Sequence, residues 1–553
     1  MTAARICAIL HLGFLEERIF MKRKKKHLKN TLLPCLAFAS AIGALTGGAI
    51  FIFRIAATAV IALSERIFAS ARADARYLWI LLPSAALLGL ICSLILKLWR
   101  DCRGGGIPTA VASIRGLVPL KWVQGIFALF VTSLITFLGG VPLGNEGPSV
   151  LMGASIGKGT ASAGGKKYRA WERYCMTGGA SAGFALATGA PISGVIFALE
   201  EAHRRFSVSL LVFSSISVCV GTLTQEALCH AFGVHLHSFH FASVPAMPLK
   251  FLYLSLIIGI VCGFCAVLFT KLYGFFKSIQ KKSPIRIRFI PKITAIFFVT
   301  ALLGFASADF VGSGHGLIEK LLMGGGVWYM LLLALIVRAV LMIAANGEGI
   351  TGGVFVPTLA FGALIAALFY RAADAISLAP AGYESLFIAI GMTAFLAAAS
   401  RIPMTALVFS IEVLAGVQNT LAIGIAVTAA FMVVEFSGKV SFADTIIEAK
   451  AHATHEGRVP LIINAFVTVQ EDSFADGKEL RDLLLPPTCA VLSIDMKDPA
   501  ASEILAGDVL HLHYNTYHAK ETLASLEAIF GPQPQNERDR IHFGSESHVV
   551  PAD

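Results

Sequence analysis

The stretch FLGGVPLGNEGPSVLMGASIG (137–157) places one carboxylate, Glu146, between glycines and a proline in otherwise apolar sequence. Burying a charge in an apolar medium is costly, so a carboxylate at this place is expected to have a function. A glycine-rich turn followed by proline and an apolar run is typical of a helix N-terminus, because proline fits the first turn, where no backbone donor is needed. The stretch therefore predicts a helix that begins within GNEGP (144–148).

The composition places this helix in a membrane. The chain has 553 residues, 56% of them hydrophobic and only 14% charged, and its mean hydropathy is +0.73. A soluble protein carries about 25% charged residues. Runs such as 80–99 and 251–276 are long enough to cross a bilayer. The chain is therefore expected to be a polytopic helical membrane protein.

Five segments interrupted by glycine or proline are expected to be helices too short to span the membrane: 104–115, 146–158, 190–201, 354–364 and 402–414.

The net charge of +10 is concentrated partly in MKRKKKHLK (21–29), just before the first long apolar run. By the positive-inside rule, the basic segment 1–30 is expected to be cytoplasmic and to contact anionic lipid rather than nucleic acid.

Cys262 and Cys265 form a C-x-x-C inside an apolar segment, and we interpret them as small hydrophobic residues. Neither a metal nor a cofactor is expected.

An internal repeat divides the membrane region. Pro148 in GNEGPSVLMG and Pro357 in GGVFVPTLAFG are each followed five residues later by a glycine, Gly153 and Gly362. A second pair, PISGVIFALE (191–200) and PMTALVFSIE (403–412), recurs at nearly the same separation. Two matched pairs at nearly the same separation indicate duplicated halves, which in membrane transporters are often inverted.

Three glycine-rich turns that lead into a proline occur in the membrane region: GGGIP (104–108), GNEGP (144–148) and GGVFVP (352–357). Free N–H groups and the positive end of the helix dipole make such N-termini anion sites. If the three converge, they form an uncharged anion-binding centre at mid-membrane; otherwise the glycines only permit close helix packing. Glu146 then becomes a tethered anion that occupies the site when the mobile ion leaves, which links proton movement to anion movement.

In this order, the three motifs and APISGVIFALEE (190–201) resemble the CLC family of chloride channels and transporters. The likeness extends over about residues 31–450. It implies a homodimer with one pore per subunit, in which duplicated, inverted halves consist of tilted and re-entrant helices. The expected fold is therefore an all-α CLC-type membrane domain, followed by a small α+β domain.

The resemblance also implies roles for single residues. Glu146 matches the external gating glutamate, and Glu201 matches the internal glutamate that relays protons in exchanger members. Channel members usually lack that second acid, so Glu201 favours anion/proton exchange; a solvated helix end beside Glu200 is the alternative. The resemblance implies anion-binding residues in the three turns and the last membrane helix: Gly105, Gly106, Ile107, Glu146, Gly147, Val354, Phe355 and Phe442.

Two positions depart from the family's pattern at the central site. Gly105 stands where the first motif usually offers a serine hydroxyl. Phe442, in GKVSF (438–442), stands where a tyrosine hydroxyl is usual, although Ser441 is adjacent. A hydrogen bond to a charged group contributes about 1.5–3 kcal/mol. We therefore expect weak central chloride binding, with altered halide or nitrate preference or loose coupling.

Two further departures lie near the gate. Asn145 replaces the basic residue often seen before the gating glutamate. Glu348, in NGEGITGG (346–353), adds an acid before the donor amides, and it either titrates with Glu146 or lies in an aqueous vestibule.

The segment 460–532 reads as soluble sequence, and its LAGDVLHLHY (505–514) resembles the TrkA-C type domain of potassium-transport regulators. The resemblance implies a cytoplasmic regulatory module that pairs across the dimer or senses an unidentified ligand; a folded tail without regulatory function is the alternative. Its predicted elements are strands 464–470, 489–495 and 508–514 and helices 476–485 and 519–530. Residues 533–553 are expected to be disordered.

The resulting hypothesis is a homodimeric anion/proton antiporter, not an enzyme, in the inner (plasma) membrane, with both termini cytoplasmic. Its ligands are chloride or a related small anion and protons. A passive anion channel of the same family is the first alternative.

An intramembrane serine hydrolase is a remote alternative, because GASIG (153–157) satisfies the pattern G-x-S-x-G without an evident histidine partner. His230, His235, His237 and His240 cluster in a loop, where solvent exposure is favoured over metal binding.

Overall fold

A computed structural model describes nine ranges of the chain: 31–236, 244–282, 289–414, 416–455, 460–486, 488–494, 503–517, 519–533 and 542–544. The basic run 21–29 lies outside these residues. Helices dominate as far as residue 455, and a small domain with strands follows. This confirms the predicted fold class.

In the first half of the membrane domain, the described residues form eight α-helices. Long apolar helices alternate with short ones, because glycine and proline interrupt the hydrophobic runs. The helices are α1 (Leu33–Ala73), α2 (Leu78–Leu98), α3 (Ile107–Ile114), α4 (Trp122–Leu138), α5 (Glu146–Ala163), α6 (Glu172–Thr188), α7 (Pro191–Phe197) and α8 (Val208–Phe232).

The part of the second half that the structure describes contains nine α-helices with the same alternation. They are α9 (Leu252–Lys282), α10 (Phe289–Ala306), α11 (His315–Leu322), α12 (Trp328–Gly347), α13 (Phe355–Ala375), α14 (Glu384–Ser400), α15 (Pro403–Phe409), α16 (Thr420–Phe436) and α17 (Phe442–His455).

Within the described ranges, eight helical segments are long and apolar enough to cross a membrane, which confirms a multi-pass membrane protein. Three of the segments predicted to be short are indeed helices of seven or eight residues, namely α3, α7 and α15. Two others are longer than predicted, because α5 has 18 residues and α13 has 21. Of these two, α13 is among the eight candidate spans, so the prediction that 354–364 is too short to span was wrong. Small and apolar residues continue both helices without a break.

The two halves cap each other's short helices. The Glu412 carboxylate accepts the N–H groups of Ile192 (2.7 Å) and Ser193 (2.8 Å), at the start of α7. The Glu200 carboxylate accepts those of Met404 (2.8 Å) and Thr405 (2.6 Å), at the start of α15. Each glutamate also accepts the hydroxyl of the second capped residue. These reciprocal caps join equivalent positions of the predicted repeat.

Glycines bring the helix pairs into backbone contact in both halves. A Cβ on Gly153 of α5 would lie 2.0 Å from the Gly179 carbonyl oxygen of α6. In the second half, a Cβ on Gly362 of α13 would lie 2.3 Å from the Gly391 carbonyl oxygen of α14. Only glycine permits so close an approach. Gly153 and Gly362 are the two glycines matched in the repeat, so the match has a packing reason.

The GASIG motif is also explained by this packing. Ser155 lies inside α5, and its hydroxyl donates to the Leu151 carbonyl at 2.8 Å. Gly157 faces α6, where a Cβ would lie 2.0 Å from the Cys175 carbonyl oxygen. A serine hydrolase of this pattern instead carries its nucleophile on a strained strand-to-helix turn. The motif therefore has a structural role.

After residue 460 the chain forms a small α+β domain. Its four-stranded antiparallel sheet has the order β3-β5-β1-β6, a two-stranded sheet pairs β2 with β4, and one helix, α18, follows β5. These elements are β1 (Leu461–Thr468), β2 (Lys478–Glu479), β3 (Ala490–Ile494), β4 (Glu503–Ile504), β5 (Val509–Thr516), α18 (Ala519–Phe530) and β6 (His542–Gly544).

Two sequence expectations for this domain differ from the structure. The helix predicted over 476–485 is absent from that segment, which forms β2 and a short 3₁₀ turn at Leu480–Asp482. Its apolar residues face two hydrophobic clusters instead of one helical stripe. Within the tail expected to be disordered, β6 pairs with β1. The remainder of the tail after 533 lies outside the described residues.

The turn after β2 docks onto the membrane domain. Arg205 donates to the Leu483 carbonyl (2.7 Å), and the Ser207 hydroxyl donates to the Asp482 carboxylate (2.5 Å). Arg173 and Tyr174, at the start of α6, donate to further carbonyl oxygens of the same turn. The domain is therefore tied to the start of α6 and to the segment that follows Glu201.

A buried lysine at this interface makes docking sensitive to pH. The Lys478 amine lies 3.0 Å from the ring centroid of Phe474 and 5.3 Å from that of Trp171. Burial lowers the pKa of Lys478 to about 7, although nearby Asp482 and Cys35 favour the charged form. In the unfolded chain the pKa of lysine is about 10.4. Above about pH 10 the amine is neutral in both the folded and the unfolded chain, so its burial costs least and the free energy of unfolding is highest. This free energy decreases as the pH falls towards 7, because the unfolded chain then binds a proton that the buried amine does not.

We expect Lys478→Met to raise the thermal unfolding midpoint of the C-terminal domain at pH 7, because no amine then has to be buried. Its midpoint should vary less than that of the parent between about pH 7 and 10. Scanning calorimetry of the detergent-solubilised protein measures both effects. Lys520→Met, at an exposed lysine of α18, is the matched control and should change little. Equal pH dependence in the parent and Lys478→Met would contradict this account.

Candidate anion site

The three predicted helix N-termini meet in the structure. A Cβ on Gly147 would lie 2.5 Å from the Gly353 Cα and 2.8 Å from the Gly106 Cα. These glycines belong to the turns that precede or open α3, α5 and α13. Backbone from three distant parts of the chain therefore lies in direct contact, which no side chain larger than hydrogen permits.

Backbone hydrogen bonds fix the three turns to one another. Gly144 and Gly353 exchange two N–H···O bonds of 2.8 and 2.7 Å, as an isolated antiparallel bridge. The Gly104 N–H donates to the Gly349 carbonyl at 2.8 Å. None of the three helices has a hydrogen-bonded side-chain cap. Helix N-termini without such caps concentrate N–H donors and positive dipole ends, which is the arrangement that binds anions.

Glu146 is sealed inside this arrangement. It is 1% exposed, and its Oε2 has no hydrogen-bond partner in the described part of the chain. That oxygen lies 2.4 Å from the position that a Cβ would take at Gly144. Buried Arg54 of α1 is close enough to interact with Glu146 electrostatically, and it donates to the Leu186 carbonyl at 2.6 Å. A positive charge is therefore supplied from another helix, although Asn145 is neutral.

Phe355 forms an aromatic wall beside the site. It is 2% exposed, and its ring makes edge contacts of 5.2 Å with both Phe184 and Phe409. Phe197 stacks on Phe184 in turn. Phe197 and Phe409 are the equivalent phenylalanines of the repeat, so both short capped helices support this wall.

Gly105 has no room for a side chain. A Cβ there would lie 2.1 Å from Cδ2 of Leu129 and 3.2 Å from Cγ2 of Thr351. An apolar methyl group therefore fills the space that a serine side chain would need. The first turn presents backbone groups alone.

We expect Gly105→Ser by itself to be destabilising by about 1–3 kcal/mol, because it overpacks the contact with Leu129. The double variant Gly105→Ser/Leu129→Ala should lose less stability than the two single variants together. Thermal unfolding of all four proteins measures this coupling. Strict additivity would show that the Leu129 methyl does not oppose the serine. Chloride affinity after introduction of the hydroxyl is best measured in the double variant.

Phe442 opens α17, which packs against α3, and the Phe442 side chain is 1% exposed. Its ring contacts Phe269 and Tyr273 edge-on, at 5.0 and 5.1 Å. Ser441 does not supply the missing hydroxyl, because its Oγ donates to Asp444 (2.8 Å) and accepts the Asp444 N–H (3.0 Å). A polar group from α17 is therefore not directed to the site at these two positions.

Glu201 lies at the end of a π-helical turn and is 7% exposed, so it is not a solvated helix end. Arg115 donates to the backbone carbonyl of Glu201 at 2.7 Å. Asp444 lies 3.9 Å from Arg115 and also binds Arg204 at 2.5 Å. Local sequence patterns do not indicate this cluster, because its members are far apart along the chain. The cluster ties the Glu201 segment to α17.

Glu348 has side-chain partners on two neighbouring helices. Its carboxylate forms an ion pair with Lys292 at 3.2 Å and a short hydrogen bond with Gln280. These contacts give the acid a structural role on α9 and α10, and they favour neither of the two alternatives stated for it.

The weaker sequence signals remain without a site. No group of three or more potential metal ligands occurs among the described residues. His237 and His240 lie outside them. Cys262 is buried and Cys265 partly buried in α9, among apolar side chains.

Comparison with known proteins decides the family. The sequence pattern of the voltage gated chloride channel family matches residues 88–435, which is more than half of the chain. The chain belongs to this family, known as CLC. The resemblance of the three glycine–proline motifs is thereby confirmed. CLC proteins are channels and transporters, so this protein is not an enzyme, and the serine hydrolase alternative is excluded.

Solved structures share the fold at low identity. A slow cyanobacterial Cl⁻/H⁺ antiporter superposes with a TM-score of 0.69 at 21% identity, covering 75% of this chain and 98% of its own. A eukaryotic CLC transporter gives 0.63 at 19% identity, with 78% and 75% covered. A CLC-type fluoride/proton antiporter gives 0.61 at 20%, with 74% and 97% covered. At these identities the likeness shows a shared fold.

Proposed function

We propose that this CLC protein exchanges chloride or a similar small anion for protons, with Glu146 as the gate. The observation that carries the proposal is the buried Glu146 carboxylate, one oxygen of which lacks a partner among the described residues, where three helix N-termini meet. Such a carboxylate is a tethered anion that competes with a mobile anion for the same N–H groups. Protonation or displacement then frees the site.

Anion binding is assigned to backbone groups of the three turns. The N–H groups of Ile107, Gly147 and Phe355 stand at helix starts, and the neighbouring Gly105, Gly106 and Val354 complete the turns. Neutral donors hold an anion without the deep trap of a lysine or arginine. Phe442 contributes an apolar wall. This arrangement favours weak binding and rapid release.

Proton transfer is assigned to Glu146 on one side and Glu201 on the other. Glu201 is buried beside Arg115, which is bound to its carbonyl oxygen. Two of the structural neighbours are described as Cl⁻/H⁺ and fluoride/proton antiporters, which supports exchange. A passive anion channel is the second candidate, because Gly105 and Phe442 leave the site without the two hydroxyls of the family pattern.

Purified protein in proteoliposomes tests the proposal. An inward chloride gradient should drive protons outward against their own gradient in the parent protein. Glu201→Gln should retain anion flux and lose proton movement. Anion flux without uphill proton movement in the parent would establish the channel instead. Absence of chloride, nitrate and fluoride flux would refute anion transport.

The assembly and location follow as parts of the same proposal. We propose a homodimer in the cell's inner membrane, with both termini in the cytoplasm. The homodimer is what the resemblance to the CLC family implies. The domain at 460–532 is proposed to be regulatory, because its docking turn contacts the helix ends around Glu201.

A further inference from the structure

Thr351 is a buried hydroxyl beside the first turn of the anion site. It is 0% exposed, and its Oγ1 has no hydrogen-bond partner in the described part of the chain. Its Cγ2 lies 3.2 Å from the position that a Cβ would take at Gly105. Since Oγ1 and Cγ2 share one carbon, the hydroxyl lies within a few ångströms of the place where a serine side chain at Gly105 would begin.

The backbone around Thr351 is held in place. Two residues before it, the Gly349 carbonyl accepts the Gly104 N–H at 2.8 Å. Two residues after it, Gly353 forms the bridge to Gly144. The hydrogen bonds that join the three turns therefore also position this side chain.

Unpartnered buried hydroxyls occur elsewhere in the described chain, but chiefly inside helices, for example Ser181 of α6 and Ser214 of α8. A helical serine has the carbonyl four residues earlier within reach after a side-chain rotation. Thr351 lies in a bend outside any helix, so it lacks the helical geometry that places such a carbonyl beside a hydroxyl. Leaving a buried hydroxyl unpaired is unfavourable. A ligand that arrives from outside the protein resolves the deficit.

We propose that the Thr351 hydroxyl donates a hydrogen bond to the transported anion and replaces the side-chain donor that is absent at Gly105. Leu129 fills the volume on the Gly105 side, so the donor reaches the site from the turn before α13 instead. The ligand class is a small monovalent anion of chloride size. This inference rests on the proposed anion transport, and it adds one specific donor to a site otherwise formed by backbone N–H groups.

Chloride titration by calorimetry of the full-length protein tests the inference, with Thr351→Val, Thr351→Ser and Thr358→Val beside the parent. Valine preserves the shape of threonine without the hydroxyl, and serine preserves the hydroxyl. Thr358→Val is the matched control, because that hydroxyl already donates to the Phe355 carbonyl at 2.6 Å. We expect Thr351→Val to weaken chloride binding about 10-fold, and the other two variants to bind like the parent.

Thermal unfolding with and without chloride gives a second readout. Without chloride, Thr351→Val should be as stable as the parent or more so, because an unpaired hydroxyl is removed. The increase in midpoint on adding chloride should be smaller in Thr351→Val than in the parent. Unchanged chloride affinity and an unchanged increment in Thr351→Val would overturn the inference alone. A parent protein that neither binds nor transports chloride, nitrate or fluoride would overturn the proposed function as well.

Discussion

Glu146→Gln should abolish proton movement coupled to anion flux while leaving the protein folded. Glutamine has almost the same shape as glutamate, but it neither ionises nor carries the transferred proton. It also removes the charge that competes with the mobile anion, so chloride should bind more tightly to the resting protein. We expect chloride flux to persist, with proton transport reduced at least about 100-fold, since a positioned proton-transfer group contributes about 10²–10⁴-fold.

The matched control is Glu348→Gln. Glu348 is also an acid near the donor turns, but its carboxylate is paired with Lys292. The Glu348→Gln variant should therefore retain coupled exchange of chloride and protons. Simultaneous recording of chloride efflux and proton uptake in proteoliposomes separates the two variants. If Glu146→Gln transports protons as the parent does, Glu146 is not the gate; if Glu348→Gln loses coupling, the two acids titrate together.

Glu412→Ala should be among the most destabilising single substitutions in the membrane domain. The Glu412 carboxylate satisfies two backbone N–H groups and one hydroxyl at the start of α7. Losing a helix cap costs about 0.5–2 kcal/mol, and the donors of buried Ser193 add about 1–3 kcal/mol when they are left unpaired. We expect a total of about 2–4 kcal/mol, measured as a lower thermal unfolding midpoint in detergent. Transport should fall too, because the adjoining α15 carries Phe409 against Phe355.

The repeat supplies an internal comparison for this prediction. Glu200→Ala removes the equivalent cap from α15 and should destabilise the protein by a similar amount. Glu435→Ala is the control, because this exposed acid pairs only at the surface with Arg401, at 3.3 Å, where an ion pair contributes about 0–1 kcal/mol. Equal midpoints for Glu412→Ala and Glu435→Ala would show that the caps do not hold the two halves together.

Local sequence was sufficient for the features that depend on short-range chemistry. The positions of glycine and proline predicted helix starts at 104–108, 144–148 and 352–357. Proline restricts the backbone dihedral angles and glycine widens their allowed range, and both effects act irrespective of the fold. The recurrence of Pro148 and Gly153 at Pro357 and Gly362 predicted two related halves. The prediction was less successful for helix lengths, because α5 and α13 continue through residues whose pattern suggested an early end.

Contacts between distant residues required the tertiary structure. The helix predicted over 476–485 became a strand and a turn because its apolar residues pack against the membrane domain as well as against their own domain. Arg115, Asp444 and Arg204 form one cluster only after folding brings α3, α17 and the segment after Glu201 together. Leu129 and Thr351 come to lie beside Gly105 in the same way.

The sequence by itself determined the membrane setting, the repeated halves and the presence of a carboxylate at a helix N-terminus, because hydropathy and backbone restrictions act locally. The tertiary structure alone decided that three N-termini meet at Gly106, Gly147 and Gly353, with Glu146 buried among them. It also decided that an apolar methyl group, rather than a hydroxyl, lies against Gly105. The physical reason is that close packing is a property of side chains brought together from separate segments, and no single segment specifies which atoms will fill the remaining space.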